Sequence, residues 1–145
     1  MKLIIWHCDR LESADRTQST RPPEIKQVIS DKQKVAFTNI VAVFACVEEG
    51  DTKSETAEAV KSVISILEML NCKREVVIIP FAHLSANLAS PKTAIELLKA
   101  LQQLLKEASI ETHMISFGYH KDFELHFRSS GHPGSVSFRH FPKTT

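Results

Sequence analysis

The sequence lacks most of the features that sort a protein quickly into a class. It has no charge bias: 18 Lys and Arg against 17 Asp and Glu in 145 residues leave a formal net charge of +1. That excludes a global positive field, so any contribution of this stretch to RNA affinity is expected to be modest. No segment approaches the roughly 18 consecutive apolar residues that span a bilayer. The opening apolar run, Leu3 to Trp6, is too short for a signal peptide and soon meets Asp9, which leads to the expectation of a cytoplasmic protein. Three cysteines, Cys8, Cys46 and Cys72, are odd in number and contain no Cys-x-x-Cys pair, which argues for a reducing compartment and against a disulfide scaffold or zinc site. The seven histidines are scattered without metal-ligand spacing, and there is no Gly-x-Ser-x-Gly elbow, phosphate-binding loop or dinucleotide fingerprint. Neither a metal nor a cofactor is expected. Repeats, low-complexity tracts and linkers are missing too, so residues 1–145 read as one domain.

What is present is an ordinary globular composition, 43% hydrophobic and 24% charged, organised around Glu75 to Pro91. Val76 to Ile79 form a continuous β-branched run, the pattern of a strand buried on both faces. Pro80 stops it, because proline has no N–H to donate to a ladder. Phe81, Ala82 and His83 follow at the rim, and Ser90-Pro91 opens a helix with serine as N-cap and proline at its first position. Ligands of open α/β sheets bind where strands end, so this edge is the default site.

The rest of the chain supplies the sheet and its cover. Lys2 to His7 reads as a first strand, Asp9 to Gln33 as an irregular or partly hairpin-like surface excursion, and Ile40 to Val47 as a second strand. Ala57, Val60, Ile64 and Leu67 give the inward stripe of a helix over Ser54 to Leu70. Ala94, Leu97, Leu98, Leu101, Leu104 and Leu105 do the same for the helix begun at Pro91. Three short strands end the chain: Met114 to Phe117, a second around Phe123, Leu125 and Phe127, and a third around Val136, Phe138 and His140, the last two joined by the turn Ser129 to Gly134. The sum is an α/β domain, a mixed β-sheet with two main helices.

Phe117-Gly118-Tyr119-His120-Lys121 forms a second polar concentration. Lys121 shares the parity of Phe123, Leu125 and Phe127, so a regular strand aims its ammonium at the apolar face, where it either snorkels to water or serves as a cation at a pocket mouth.

Together, Pro80-Phe81-Ala82-His83-Leu84-Ser85, Phe117-Gly118-Tyr119-His120-Lys121 and Gly131-His132-Pro133 resemble the N-terminal editing domain of archaeal-type threonyl-tRNA synthetases. The resemblance covers nearly the whole chain and implies a fold similar to D-aminoacyl-tRNA deacylases. The implied activity is hydrolysis of serine mistakenly esterified to threonine tRNA. It implies His83 and Lys121 as catalytic residues and Val47, Pro80, Ala82, Phe117 and Gly118 as substrate-binding residues around a small aminoacyl pocket; Phe81 and Tyr119, in the same two clusters, are expected to bind substrate with them, and His120 to join the catalytic pair in place of the polar group lost at Val136. The implied partners are the 3′ end of threonine tRNA carrying serine, a second copy in a homodimer, and a synthetase catalytic body in cis or in trans, with no membrane. Two positions differ from the family pattern: His120 stands where a second tyrosine is common, and Val136 where a glutamate is found, leaving no carboxylate there to activate water. The competing expectations are a non-catalytic tRNA-binding or dimerisation module, and a deacylase of D-aminoacyl-tRNA.

Overall fold

The computed structural model describes residues 1–18, 34–70, 75–127 and 136–142. The elements in order are β1 (Lys2–Gln18), β2 (Lys34–Cys46), α1 (Lys53–Leu70), β3 (Glu75–Pro80), a single 3₁₀ turn (Ala82–Leu84), α2 (Pro91–Glu107), β4 (Glu111–Met114), β5 (Tyr119–Phe127) and β6 (Val136–His140). They form a six-stranded sheet of order β4-β3-β2-β1-β5, with β6 also pairing β1. β2, β3 and β4 run parallel, joined through α1 and α2; the pairs of β1 with β2, β5 and β6 are antiparallel.

β3 is buried on both faces, as its unbroken apolar run requires. Val76 and Ile78 belong to the core beneath the helices, with Leu3, Ile5, Val41 and Val43 from the sheet and Ala59, Val63, Leu98 and Leu101 from α1 and α2. Val77 and Ile79 point the other way, into a second cluster with Ile40, Ala42 and Phe44. Edge-to-face rings close that side: Phe44 lies 5.1 Å from Phe81 and 5.4 Å from Phe123, centroid to centroid.

Both helices are capped by their own sequence. Ser90 Oγ accepts the Thr93 N–H of α2 at 3.2 Å, with Pro91 opening the helix, as the sequence indicates. α1 starts at Lys53 rather than Ser54, because Thr52 and Glu55 form a capping box: the Glu55 carboxylate accepts the Thr52 N–H at 2.6 Å and its hydroxyl at 2.8 Å. The inward stripe of α1 is Thr56, Ala59, Val60, Val63, Ile66, Leu67 and Leu70. Ala57 is exposed, contrary to the sequence expectation, since the larger side chains Val60, Val63, Ile66 and Leu67 set the rotation of the helix.

The main difference lies in β1. It does not stop at His7 but runs to Gln18, so of the irregular or partly hairpin-like stretch expected from Asp9 to Gln33 the front part is strand, paired antiparallel with β2; residues 19–33 lie outside the described residues. Cys8 pairs with Phe127 but Arg10 with His126, so Asp9 is an extra residue on β1, a β-bulge. On β2, Asn39 stands between the partners of Cys8 and Arg10 with a left-handed φ of 50°. The bulge changes which parity faces the second cluster: Cys8 and Leu11 both enter it, and Ser13 and Asp15 follow Leu11. β4 also begins earlier than read, at Glu111, and Ser116 to Gly118 leave the sheet. The turn at Ser129 to Gly134 falls outside the described residues. No described helix is long and apolar enough to cross a membrane.

Leu101 is fully buried between α2 and the sheet. Leu101→Ala is expected to cost about 2–5 kcal/mol in denaturant unfolding; a change near zero would show that α2 does not pack as described.

Candidate functional site

At the C-terminal end of β3 the chain turns away from the sheet, and a cavity of about 430 Å³ opens. All ten residues singled out from the sequence line it: Val47, Pro80, Phe81, Ala82, His83, Phe117, Gly118, Tyr119, His120 and Lys121. They come from three places. Val47 follows β2, residues 80–83 end β3 and form the 3₁₀ turn, and 117–121 lead from β4 into β5. Ala45, Cys46, Leu88, Ala89, Pro91, Ala94, Leu98, Ser116 and Phe123 complete the wall.

The turn carrying His83 is fastened by its backbone. The Phe81 N–H donates to the Ala45 carbonyl at 2.9 Å, the Ala89 N–H to the Val47 carbonyl at 3.1 Å, and the Glu49 N–H to the Asn87 carbonyl at 3.0 Å. A polar latch backs these bonds: Ser85 Oγ donates to Glu48 Oε2 at 2.7 Å, while Glu48 Oε1 also meets the Met1 amine at 3.2 Å. Burial alone would raise the Glu48 carboxyl, but the Ser85 hydroxyl, the amine and Lys2 outweigh it and hold the group below its ordinary value. It therefore stays ionised, and the latch closed, through the neutral range. His83 itself is exposed, with its ring edge-to-face against Phe81 at 5.0 Å. His120 is also exposed.

Lys121 does not snorkel. Its side chain is 5% exposed, and Nζ donates to Asp15 Oδ1 at 2.7 Å and to Ser116 Oγ at 2.6 Å. Ser116 Oγ in turn lies 2.7 Å from Asp15 Oδ2, to which it donates. The Tyr119 ring is 5.4 Å from the ammonium. Burial lowers the lysine from its ordinary value of 10.5, and the hydrogen bond and charge of Asp15 push back against that. An ammonium has three donors, and two are taken by Asp15 and Ser116. The cavity thus offers a fixed cation in an otherwise largely apolar wall and two exposed imidazoles, while burial pushes the Cys46 thiol above its ordinary range.

Nothing in the sequence singles out Asp15 or Ser116. Asp15 sits in a charged stretch that looks solvated, and only the bulge at Asp9 brings it opposite Lys121 in the β1–β5 register. Ser116 was placed inside a strand, where nothing marks it. Val136 opens β6 opposite Trp6, is 38% exposed, and does not line the cavity. Among the described residues, Glu75, Glu111 and His113 place ligand atoms within 4.8 Å of one another, with His113 Nε2 3.5 Å from each carboxylate. This trio lies at the other end of β3 from Pro80 and forms ordinary histidine–carboxylate pairs.

Fold and cavity define an α/β domain with a small cavity at its strand ends and a buried cation in the cavity wall. Residues 1–141 match the archaea-specific editing domain of threonyl-tRNA synthetase, and the chain belongs to that family. It is 35% identical over 137 residues to a threonine–tRNA ligase of Thermococcus gammatolerans, covering 92% of this chain and 21% of the relative. It is 32% identical over 135 residues to a threonine–tRNA ligase editing subunit of Saccharolobus solfataricus, covering 92% of this chain and 34% of that protein. The chain therefore spans only about a fifth to a third of the length of these relatives. In fold it resembles the solved c-Myc DNA Unwinding Element Binding Protein, with a TM-score of 0.66, 98% of this chain and 99% of the other covered, and 13% identity. The mixed sheet with two main helices is the α/β architecture expected from the sequence, and this likeness bears on the fold alone.

Gly118 has a φ of 91°, in the region where a Cβ collides with the backbone, and it lines the cavity. Gly118→Ala is expected to destabilise the domain by about 1–2 kcal/mol and to narrow the cavity; unchanged thermal unfolding would contradict a required left-handed residue there.

Proposed function

We propose that this domain proofreads threonine tRNA, hydrolysing the ester of mistakenly attached serine and sparing threonine. Family membership together with the convergence of all ten residues on one cavity carries the reading. The two amino acids differ by a methyl group, which a binding pocket discriminates by only about 1–3 kcal/mol, so a synthetic site needs a second sieve. The sieve must admit the smaller side chain and reject the larger. Ala82 and Gly118 bring backbone close to the cavity, with Pro80, Phe81, Val47 and Phe117 as stiff apolar walls.

In the proposed reaction a water oxygen attacks the ester carbonyl carbon. The C–O bond to the ribose then breaks, the ribose oxygen takes a proton, and free serine leaves. Lys121 stabilises the oxyanion that forms on the carbonyl oxygen, or holds the terminal adenosine that presents it. His83 orients the ester end or the water, and Tyr119 borders the acyl group. His120 supplies part of the polar function for which the family pattern has a glutamate at the place of Val136, with the free ribose hydroxyl relaying a proton. The ester is already activated, so the chemistry asks for no metal.

The partner is the 3′ end of threonine tRNA. With a net charge of only +1, most of the affinity must come from a synthetase body, in cis or in trans. The reaction belongs in the cytoplasm, where tRNA is charged. A homodimer is supported by the large apolar side chains Val136 and Phe138, which are 38% and 55% exposed on β6.

Deacylation of serine-charged and threonine-charged threonine tRNA tests the proposal. Loss of serine only is expected, with Lys121→Ala slowed about 10²–10³-fold, the usual cost of one oxyanion donor. No loss from either substrate by a folded, tRNA-binding domain would favour the non-catalytic module, for which the missing carboxylate at Val136 speaks. Hydrolysis of D-aminoacyl esters in preference to serine would favour the deacylase of other selectivity.

A further inference from the structure

Asp15 is a carboxylate that the proposed reaction does not use, although its side chain is only 4% exposed. A buried ion needs a reason, because taking it out of water is costly unless a partner offsets the loss of hydration. Its partner is Lys121, directly opposite in the β1–β5 register, at 2.7 Å. Ser116 bridges the two: it accepts from the ammonium at 2.6 Å and donates to the second carboxylate oxygen at 2.7 Å. Nζ is thus held by two partners on two different elements, β1 and the segment after β4. We infer that Asp15 is a positioning residue for the editing reaction: with Ser116 it fixes the Lys121 ammonium at the cavity wall and keeps it protonated. The inference rests on the proposed hydrolysis for its kinetic consequence, but not for its effect on the lysine.

The physical argument is a balance between burial and charge. Burial favours neutral amine; Asp15 opposes it through its hydrogen bond and its charge. Among the described residues, the other titratable groups on the cavity wall are Cys46 from β2, His83 from the 3₁₀ turn, and Tyr119 and His120 from β5, and none of these is a carboxylate. Removing the carboxylate charge while keeping its shape therefore leaves burial to act alone. Nζ loses its stronger anchor at the same stroke, and the lysine is free to take other rotamers in the cavity.

The test is an NMR titration of Lys121, by its side-chain ¹⁵N or ¹³Cε resonance, in the wild-type chain and in Asp15→Asn, Asp15→Glu and Ser116→Ala. In Asp15→Asn the titration midpoint is expected to move to lower pH, and in Asp15→Glu to return toward wild type. In the hydrolysis assay Asp15→Asn should lose about 10- to 100-fold in kcat with KM little changed, the same order as removing an outer-shell partner that orients a metal ligand. The remaining rate should fall at a lower pH on the alkaline side, as the proton is lost sooner. An unmoved midpoint and an unchanged pH profile, with activity falling only as stability falls, would overturn the inference and leave Asp15 a structural ion. Should Asp15→Asn fail to fold, the wild type still decides: slowly exchanging ammonium protons on Lys121, coupled through a hydrogen bond to the Asp15 carboxylate carbon, are required, and fast exchange with no coupling refutes the inference. If the wild type hydrolyses no ester at all, the proposed function fails while the titration still judges Asp15.

Discussion

The long strand β1 is the constraint on which the rest of this domain depends. It pairs with β2 along most of its length, with β6 beside its first residues and with β5 beside its last, so three of the other five strands reach the sheet through it. A ladder of that length would normally fix which side chains face which side from end to end. Ahead of a second register shift between Asp15 and Gln18, the bulge at Asp9 breaks the rule. Before it, Leu3 and Ile5 feed the core under the helices; after it, Leu11, Ser13 and Asp15 turn to the opposite cluster. That single extra residue places a carboxylate opposite Lys121, and so links the backbone geometry of the sheet to the chemistry of the cavity.

On the proposed function, the cavity must meet two demands that conflict. Rejecting one methyl group calls for stiff, close-packed, apolar walls, and these are supplied by Pro80, Phe81, Val47 and Phe117 with Gly118 held at positive φ. Stabilising charge on an ester calls for a cation in the same small volume, and a cation is poorly tolerated there. A paired lysine reconciles the two: Asp15 offsets the cost of burial from behind the wall, and Ser116 satisfies a further ammonium proton. The histidines stand differently, exposed on the rim, where they need no such support.

Much of this was legible in the residues because local chemistry decided it. Val76 to Ile79 can hardly be anything but a doubly buried strand, Pro80 ends it, and Ser90-Pro91 caps the next helix. The cavity residues were legible as contiguous clusters at two strand ends, although their family resemblance rather than their spacing gave them roles. What escaped was set by tertiary geometry. The charges of Asp9 to Gln18 resemble solvated loop, yet β2 and β5 hold them in a ladder. Strict alternation from the apolar residues of early β1 puts Asp15 under the helices, because a bulge leaves no mark in composition. The stripe of α1 was read through Ala57, a residue too small to decide which face turns inward, while Thr52 and Glu55 announced the true helix start through a capping box.

The central claim is that the aminoacyl end of a tRNA sits in the cavity between Pro80–His83 and Phe117–Lys121. It is tested most directly by NMR shift mapping with a non-hydrolysable seryl-3′-aminoadenosine and its threonyl counterpart. The account predicts that the seryl compound perturbs Val47, Ala82, His83, Gly118 and Lys121, and that the threonyl compound perturbs them less at equal concentration. Perturbations centred elsewhere, or none at these residues with the seryl compound at saturation, would contradict it.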